Sequence, residues 1–85
     1  MIAEKKNGII QRFDDYGQLK YEYFYFNGNL EGEYKEYYIN GQLVEISNYK
    51  NGAFEGEYKL YYSNGQLRQI CNYKNNKKEG EYISY

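Results

Sequence analysis

Eighty-five residues make one small domain, and Leu, Ile, Val and Phe total only 17 of them, so aliphatic burial alone cannot build its core. Fourteen tyrosines and a net charge of −1 argue against disorder: each ring can bury roughly 150–250 Å² with its hydroxyl wet, and self-repulsion is weak. One cysteine and no histidine exclude an internal disulfide, Cys/His catalysis and most zinc sites, and scattered Lys and Glu give no basic stripe for nucleic acid. No apolar run approaches the roughly 20 residues that span a bilayer. The start, MIAEKKNGII, lacks the apolar centre of a secretion signal, so a cytoplasmic protein is expected.

The chain repeats itself. GQL begins at Gly17, Gly41 and Gly65, a step of 24 (41 − 17 and 65 − 41), and EGEY begins at Glu31, Glu55 and Glu79 with the same step. Gly8, Ile10 and Phe13 stand where Gly32, Tyr34 and Tyr37 stand one unit later. A single domain over residues 1–85 is therefore expected, with a half-unit at 7–16 and repeats at 17–40, 41–64 and 65–85. In chain order the strands are expected over about 8–14, 18–26, 32–39, 42–50, 56–63, 66–74 and 80–85. The predicted fold is all-β: an antiparallel meander of about seven strands in one elongated sheet, built from hairpin repeats.

Asn40-Gly41 and Asn64-Gly65 each stand between two strand-like runs, a strong hairpin signal. Two-residue loops at these glycines, Gly41 and Gly65, set Tyr38 against Leu43 and Tyr34 against Ser47, then Tyr62 against Leu67 and Tyr58 against Cys71. The same register sets Gly8 against Tyr25, Gly32 against Tyr49 and Gly56 against Tyr73. A ring lying across bare backbone explains why EGEY keeps a glycine inside a strand, so Gly8, Gly32 and Gly56 read as packing residues.

Alternation then sorts the faces. One carries Tyr34, Tyr38, Leu43, Tyr49, Tyr58, Leu60, Tyr62, Leu67, Cys71 and Tyr73, with Ile10, Leu19, Tyr21, Tyr23 and Tyr25 at the first hairpin. The other is mixed, with Glu33, Lys35, Ile46, Glu57, Lys59, Arg68 and Ile70. Glu36 opposes Glu45 on the aromatic side, an unfavourable pair. The candidate partner-binding residues are Tyr34, Tyr38, Tyr49, Tyr58, Tyr62 and Tyr73, although the same rings can serve as the packed core. The glutamates of EGEY read as solvated, and Cys71 as a small half-buried filler. No catalytic residue, cofactor site or metal site is expected; without a base, Cys71 and the serines lack the company of a nucleophile.

The string NGQL…YKNGAFEGEYKLYYSNGQL resembles the bacterial variant of the MORN repeat found in YwqK-family proteins, which are regarded as antitoxins. The resemblance runs from about Gly8 to Tyr85 and departs at Asn75-Asn76, where YKNG becomes YKNN. It implies a meander of hairpins in one sheet, protein–protein contacts, and in some members contact with membrane phospholipid; the open edges and aromatic face themselves lead to the expectation of self-association or a protein partner. YEYFYFNGNLEGEY also resembles the aromatic repeats of carbohydrate-binding modules. The expected function is thus a non-enzymatic protein–protein interaction module, antitoxin-like, with glycan binding on a tyrosine ladder or membrane-lipid association as alternatives.

Overall fold

The structure, a computed structural model, describes residues 7–85; the start read above for a leader, residues 1–6, lies outside them. Eight strands follow one another among the described residues. They are β1 Gly8–Phe13, β2 Leu19–Phe26, β3 Asn29–Tyr37, β4 Leu43–Lys50, β5 Ala53–Phe54, β6 Gly56–Tyr61, β7 Leu67–Lys74 and β8 Lys77–Ser84. All pairings are antiparallel, in the order β1-β2-β3-β4-β6-β7-β8, and the two-residue β5 also pairs with β4. The extents, 49 × 35 × 13 Å, are those of one elongated sheet with no second layer.

Two kinds of corner alternate, and the expected two-residue loop belongs to the other one. At Asn27-Gly28, Asn51-Gly52 and Asn75-Asn76 both residues have positive φ, between 50° and 83°, which is the type I′ pattern matching strand twist. These corners start β3, β5 and β8 at Asn29, Ala53 and Lys77, earlier than the glycines from which strands were expected. The corners at Gly17, Gly41 and Gly65 are wider. The Tyr38 N–H donates to the Gln42 carbonyl (2.7 Å) and the Gly41 N–H to the Tyr38 carbonyl (2.9 Å), so three residues, with Gly41 at φ 88°, make the loop. The Asn40 Oδ1 accepts from the Gln42 N–H at 2.9 Å, an Asx contact that favours this wider turn.

The wider loop shifts the register next to it, and a bulge restores it. Tyr37, not Tyr38, faces Leu43, and Tyr61, not Tyr62, faces Leu67. Val44 and Arg68 are then left as extra residues, and beyond them Glu36–Glu45 and Leu60–Gln69 pair as expected. Tyr38 and Tyr62 therefore sit at corners. The Tyr38 hydroxyl donates to the Tyr61 carbonyl (2.8 Å) and the Tyr62 hydroxyl to the Tyr85 carbonyl (2.6 Å), each clipping its corner to the next hairpin. Tyr38→Phe removes one such clip and should lower the urea-unfolding free energy by about 1 kcal/mol. Tyr62→Phe, at an exposed position, should cost less.

Gly8 and the first two EGEY glycines do meet the expected tyrosines: Gly8 pairs with Tyr25, Gly32 with Tyr49 and Gly56 with Tyr73. Ring clearance is not why they are glycines. A β-carbon added at Gly8 or Gly32 would meet nothing within 4 Å, and at Gly56 only the Asn48 Cβ at 3.8 Å. Their φ values are 115°, 80° and 97°, a region that L side chains avoid. On the side away from the tyrosine, each of the later two units inserts two residues. Phe24 alone stands against Glu31, Gly32 and Glu33, and the shift between Tyr49–Phe54 and Ile46–Lys59 has the same size. Glycine supplies the backbone for that bulge.

Candidate binding face

The only fully buried described side chains are Ser47 and Cys71, two small residues in equivalent positions of successive units, so Cys71 is more enclosed than the half-buried filler expected. Tyrosines cover them. Tyr34 pairs with Ser47 and Tyr58 with Cys71, and the rings join into one contact path. Tyr23 stacks on Tyr34 (5.7 Å between centroids), Tyr34 meets Tyr49 edge-on (6.0 Å), Tyr49 meets Phe54 (4.7 Å), and Phe54 meets Tyr73 (4.9 Å) and Tyr58 (5.6 Å). Such pairs contribute about 0.5–1.5 kcal/mol each beyond area burial. Most of these rings are half-buried, so the same layer is the packing core and an accessible surface.

Of the six candidate tyrosines, Tyr34, Tyr49, Tyr58 and Tyr73 lie in this path, whereas the hydroxyls of Tyr38 and Tyr62 are engaged at corners. Phe54 was missed. It joins the Tyr34–Tyr49 cluster to the Tyr58–Tyr73 cluster, and its place became visible only once β5 was seen to start behind Asn51-Gly52.

The EGEY carboxylates divide between two jobs. The Glu31 Oε1 accepts from the Asn51 N–H (3.0 Å) and the Glu55 Oε1 from the Asn75 N–H (3.2 Å); Asn7 does the same for Asn27 at 2.7 Å. Glu31 and Glu55 thus cap the type I′ corner of the next hairpin and are half-buried, against the solvated reading. Glu33 and Glu57 are exposed and paired along their own strands, Glu33 to Lys35 (3.5 Å) and Glu57 to Lys59 (3.1 Å). Among the described residues no group of three or more Asp, Glu or Cys side chains could hold a metal ion.

The opposed pair Glu36–Glu45 is present at the middle of the tyrosine face. Glu36 approaches Lys20 (3.7 Å), and Glu45 accepts from the Ser47 hydroxyl (3.2 Å) and the Tyr58 hydroxyl (3.3 Å). Burial pushes the Glu45 carboxyl above its ordinary value, the two hydrogen bonds oppose this, and Glu36 adds to it. Burial also raises the phenols of Tyr49 and Tyr58, with the Glu45 charge adding to both, and it carries Tyr34 up to about 12. A group that holds its proton more tightly when folded loses stability as pH rises through its folded value. Alkaline titration followed by phenolate absorbance should therefore show three native phenols, those of Tyr34, Tyr49 and Tyr58, still protonated where the urea-unfolded chain, at about 10, has ionised. A native curve that overlays the unfolded one would disprove the burial.

An open antiparallel sheet of repeated hairpins, with a half-buried tyrosine layer on one face, defines a β-hairpin repeat protein. The sequence model of the family described as MORN repeat variant matches twice, over residues 30–51 and 54–75, and the chain belongs to that family. The first match runs from Leu30 in β3 to Asn51, one residue past β4, and the second from Phe54 to Asn75. No curated protein and no solved structure matches the chain.

Proposed function

We propose that the chain is a non-enzymatic interaction module that takes a protein partner on its tyrosine face. What supports this is the unbroken ring path from Tyr23 to Tyr73 on a one-layer sheet. Rings already held by their neighbours lose little entropy on docking, and tyrosine is enriched where interfaces carry their energy. The likeness to YwqK-family proteins suggests the finer reading, a toxin-like partner in a bacterial cytoplasm.

The test uses residues the repeat itself supplies. Tyr21 and Tyr23 stand where Gln69 and Cys71 stand two units on, and Tyr23 stands where Ser47 stands one unit on. The double variant Tyr21→Gln, Tyr23→Ser should keep its strand circular dichroism and lose a protein that the parent retains from host lysate. If that protein is a toxin, the parent alone should protect cells expressing it. Equal retention by parent and variant overturns the reading.

One observation favours a second reading, binding of a glycan. A groove of about 400 Å³ is lined by Arg12, Tyr21, Tyr23, Tyr25, Leu30 and Tyr34, which offers rings for stacking beside a cation. Tyrosine fluorescence across a glycan and choline panel should respond in the parent only; a flat response ends this reading.

A further inference from the structure

One unit departs from the repeat on the face opposite the tyrosines. Ile9, Phe24 and Phe26 occupy positions held by Glu33, Asn48 and Lys50 in the next unit, and by Glu57, Asn72 and Lys74 in the one after. Ile9 and Phe24 are cross-strand partners, and alternation puts Phe26 on their side. They are 68%, 36% and 51% exposed, although polar residues fill the same places elsewhere in the sheet. Apolar side chains that are exposed together and confined to one unit mark a contact surface.

A groove of about 630 Å³ opens beside them where Phe24 faces the bulge of Glu31, Gly32 and Glu33. Four carboxylates line it, Glu22, Glu31, Glu33 and Glu55, against two cations, Lys35 and Lys50. The Glu33–Lys35 pair cancels one of each. Of the other three carboxylates, Glu22 gives one oxygen to Gln11 (2.7 Å), and Glu31 and Glu55 give one each to corner amides. Each keeps a second oxygen, and among the described lining residues Lys50 alone offsets three negative charges. The groove combines an apolar floor with an uncompensated acidic rim.

From this we infer that the groove, centred on Ile9 and Phe24 and sharing only Tyr23 and Tyr49 with the tyrosine path, is a second docking site for an extended segment of a protein partner that sets an apolar side chain between two cationic ones. Such a segment covers Ile9 and Phe24 while its lysines or arginines take the open carboxylate oxygens, and charge opposition excludes acidic segments.

The probe is a fluorescent acetyl-KSLSKSL-amide peptide, compared by anisotropy with versions carrying Glu for Lys or Ser for Leu. The parent should bind the first at least about tenfold more tightly than either control. Ile9→Glu with Phe24→Asn installs the next unit's residues, so the sheet should fold while affinity drops by a similar factor. Glu22→Gln with Glu33→Gln should weaken binding and flatten its salt dependence. The tyrosine-face variant Tyr21→Gln, which leaves Tyr23 of the groove lining in place, should bind the peptide as the parent does, which keeps this test separate from that of the proposed function. Equal binding of the acidic peptide, or full affinity in Ile9→Glu, Phe24→Asn, overturns the site. So does uptake onto phosphatidylcholine vesicles, or a dimer in sedimentation, that Phe24→Asn abolishes, since the patch would then serve lipid or a second copy.

Discussion

Alanine at Gly56 is expected to lower the unfolding free energy by about 1–2 kcal/mol, although the same change inside an ordinary strand raises it. Space does not set the sign, because the new β-carbon would sit 3.8 Å from the Asn48 Cβ, an ordinary contact. The backbone does. At φ 97° the residue is outside even the small left-handed region that alanine tolerates, so the bulge must either strain or rearrange. Restricting the unfolded chain offsets a few tenths to about 1 kcal/mol of this. Valine, stiff at χ1, should cost more than alanine. Rearranging the bulge would move Phe54 relative to Tyr58 and Tyr73, so near-ultraviolet dichroism from the tyrosines should fall along with stability. Urea denaturation of Gly56→Ala decides the matter: unchanged or higher stability would remove the positive φ as the reason for the glycine.

The second large effect has the opposite sign. Glu45→Gln should stabilise the sheet at pH 8 by up to about 1 kcal/mol, screening at this half-exposed site included, or roughly 4–8 °C in a domain this small. Glu45 faces Glu36 across the strands, and its folded carboxyl is raised by burial, so folding favours the protonated form. For such a group, the stabilisation is complete below the ordinary carboxylate range and is lost as pH rises through the folded value. Glutamine keeps an acceptor for the Ser47 and Tyr58 hydroxyls and cannot ionise. The variant and parent should therefore melt together near pH 4 and diverge as pH rises. The repeat supports the exchange, since the position one unit later is Gln69. Parallel melting profiles from pH 4 to 8 would show that the opposed charges carry no cost.

The fold class could be read because corners and strands recur in phase. The Gly8–Tyr25, Gly32–Tyr49 and Gly56–Tyr73 pairs followed from counting outward from the wide corners. That count survived a wrong loop length only because Lys20, Val44 and Arg68 return the lost residue. Close to the corners the compensation has not yet acted, so Tyr38 and Tyr62 were assigned to a face although they clip corners. Phe54 escaped because strands were begun at the glycines. Asn51-Gly52, with both φ values positive, was the available signal, and it places a strand start at Ala53.

Period, strand polarity and long-range register were determined by the sequence alone, since they depend on the spacing of turn residues and on the two-residue alternation of a strand. Tertiary structure decided which residue each corner adds, that Ser47 and Cys71 lie sealed beneath rings, and that Glu31 and Glu55 hold corners twenty residues ahead. Those outcomes require neighbouring hairpins to be in place together. A bulge, a buried small side chain or a capping carboxylate gains its energy from a partner strand, and the spacing within one strand carries no record of that partner.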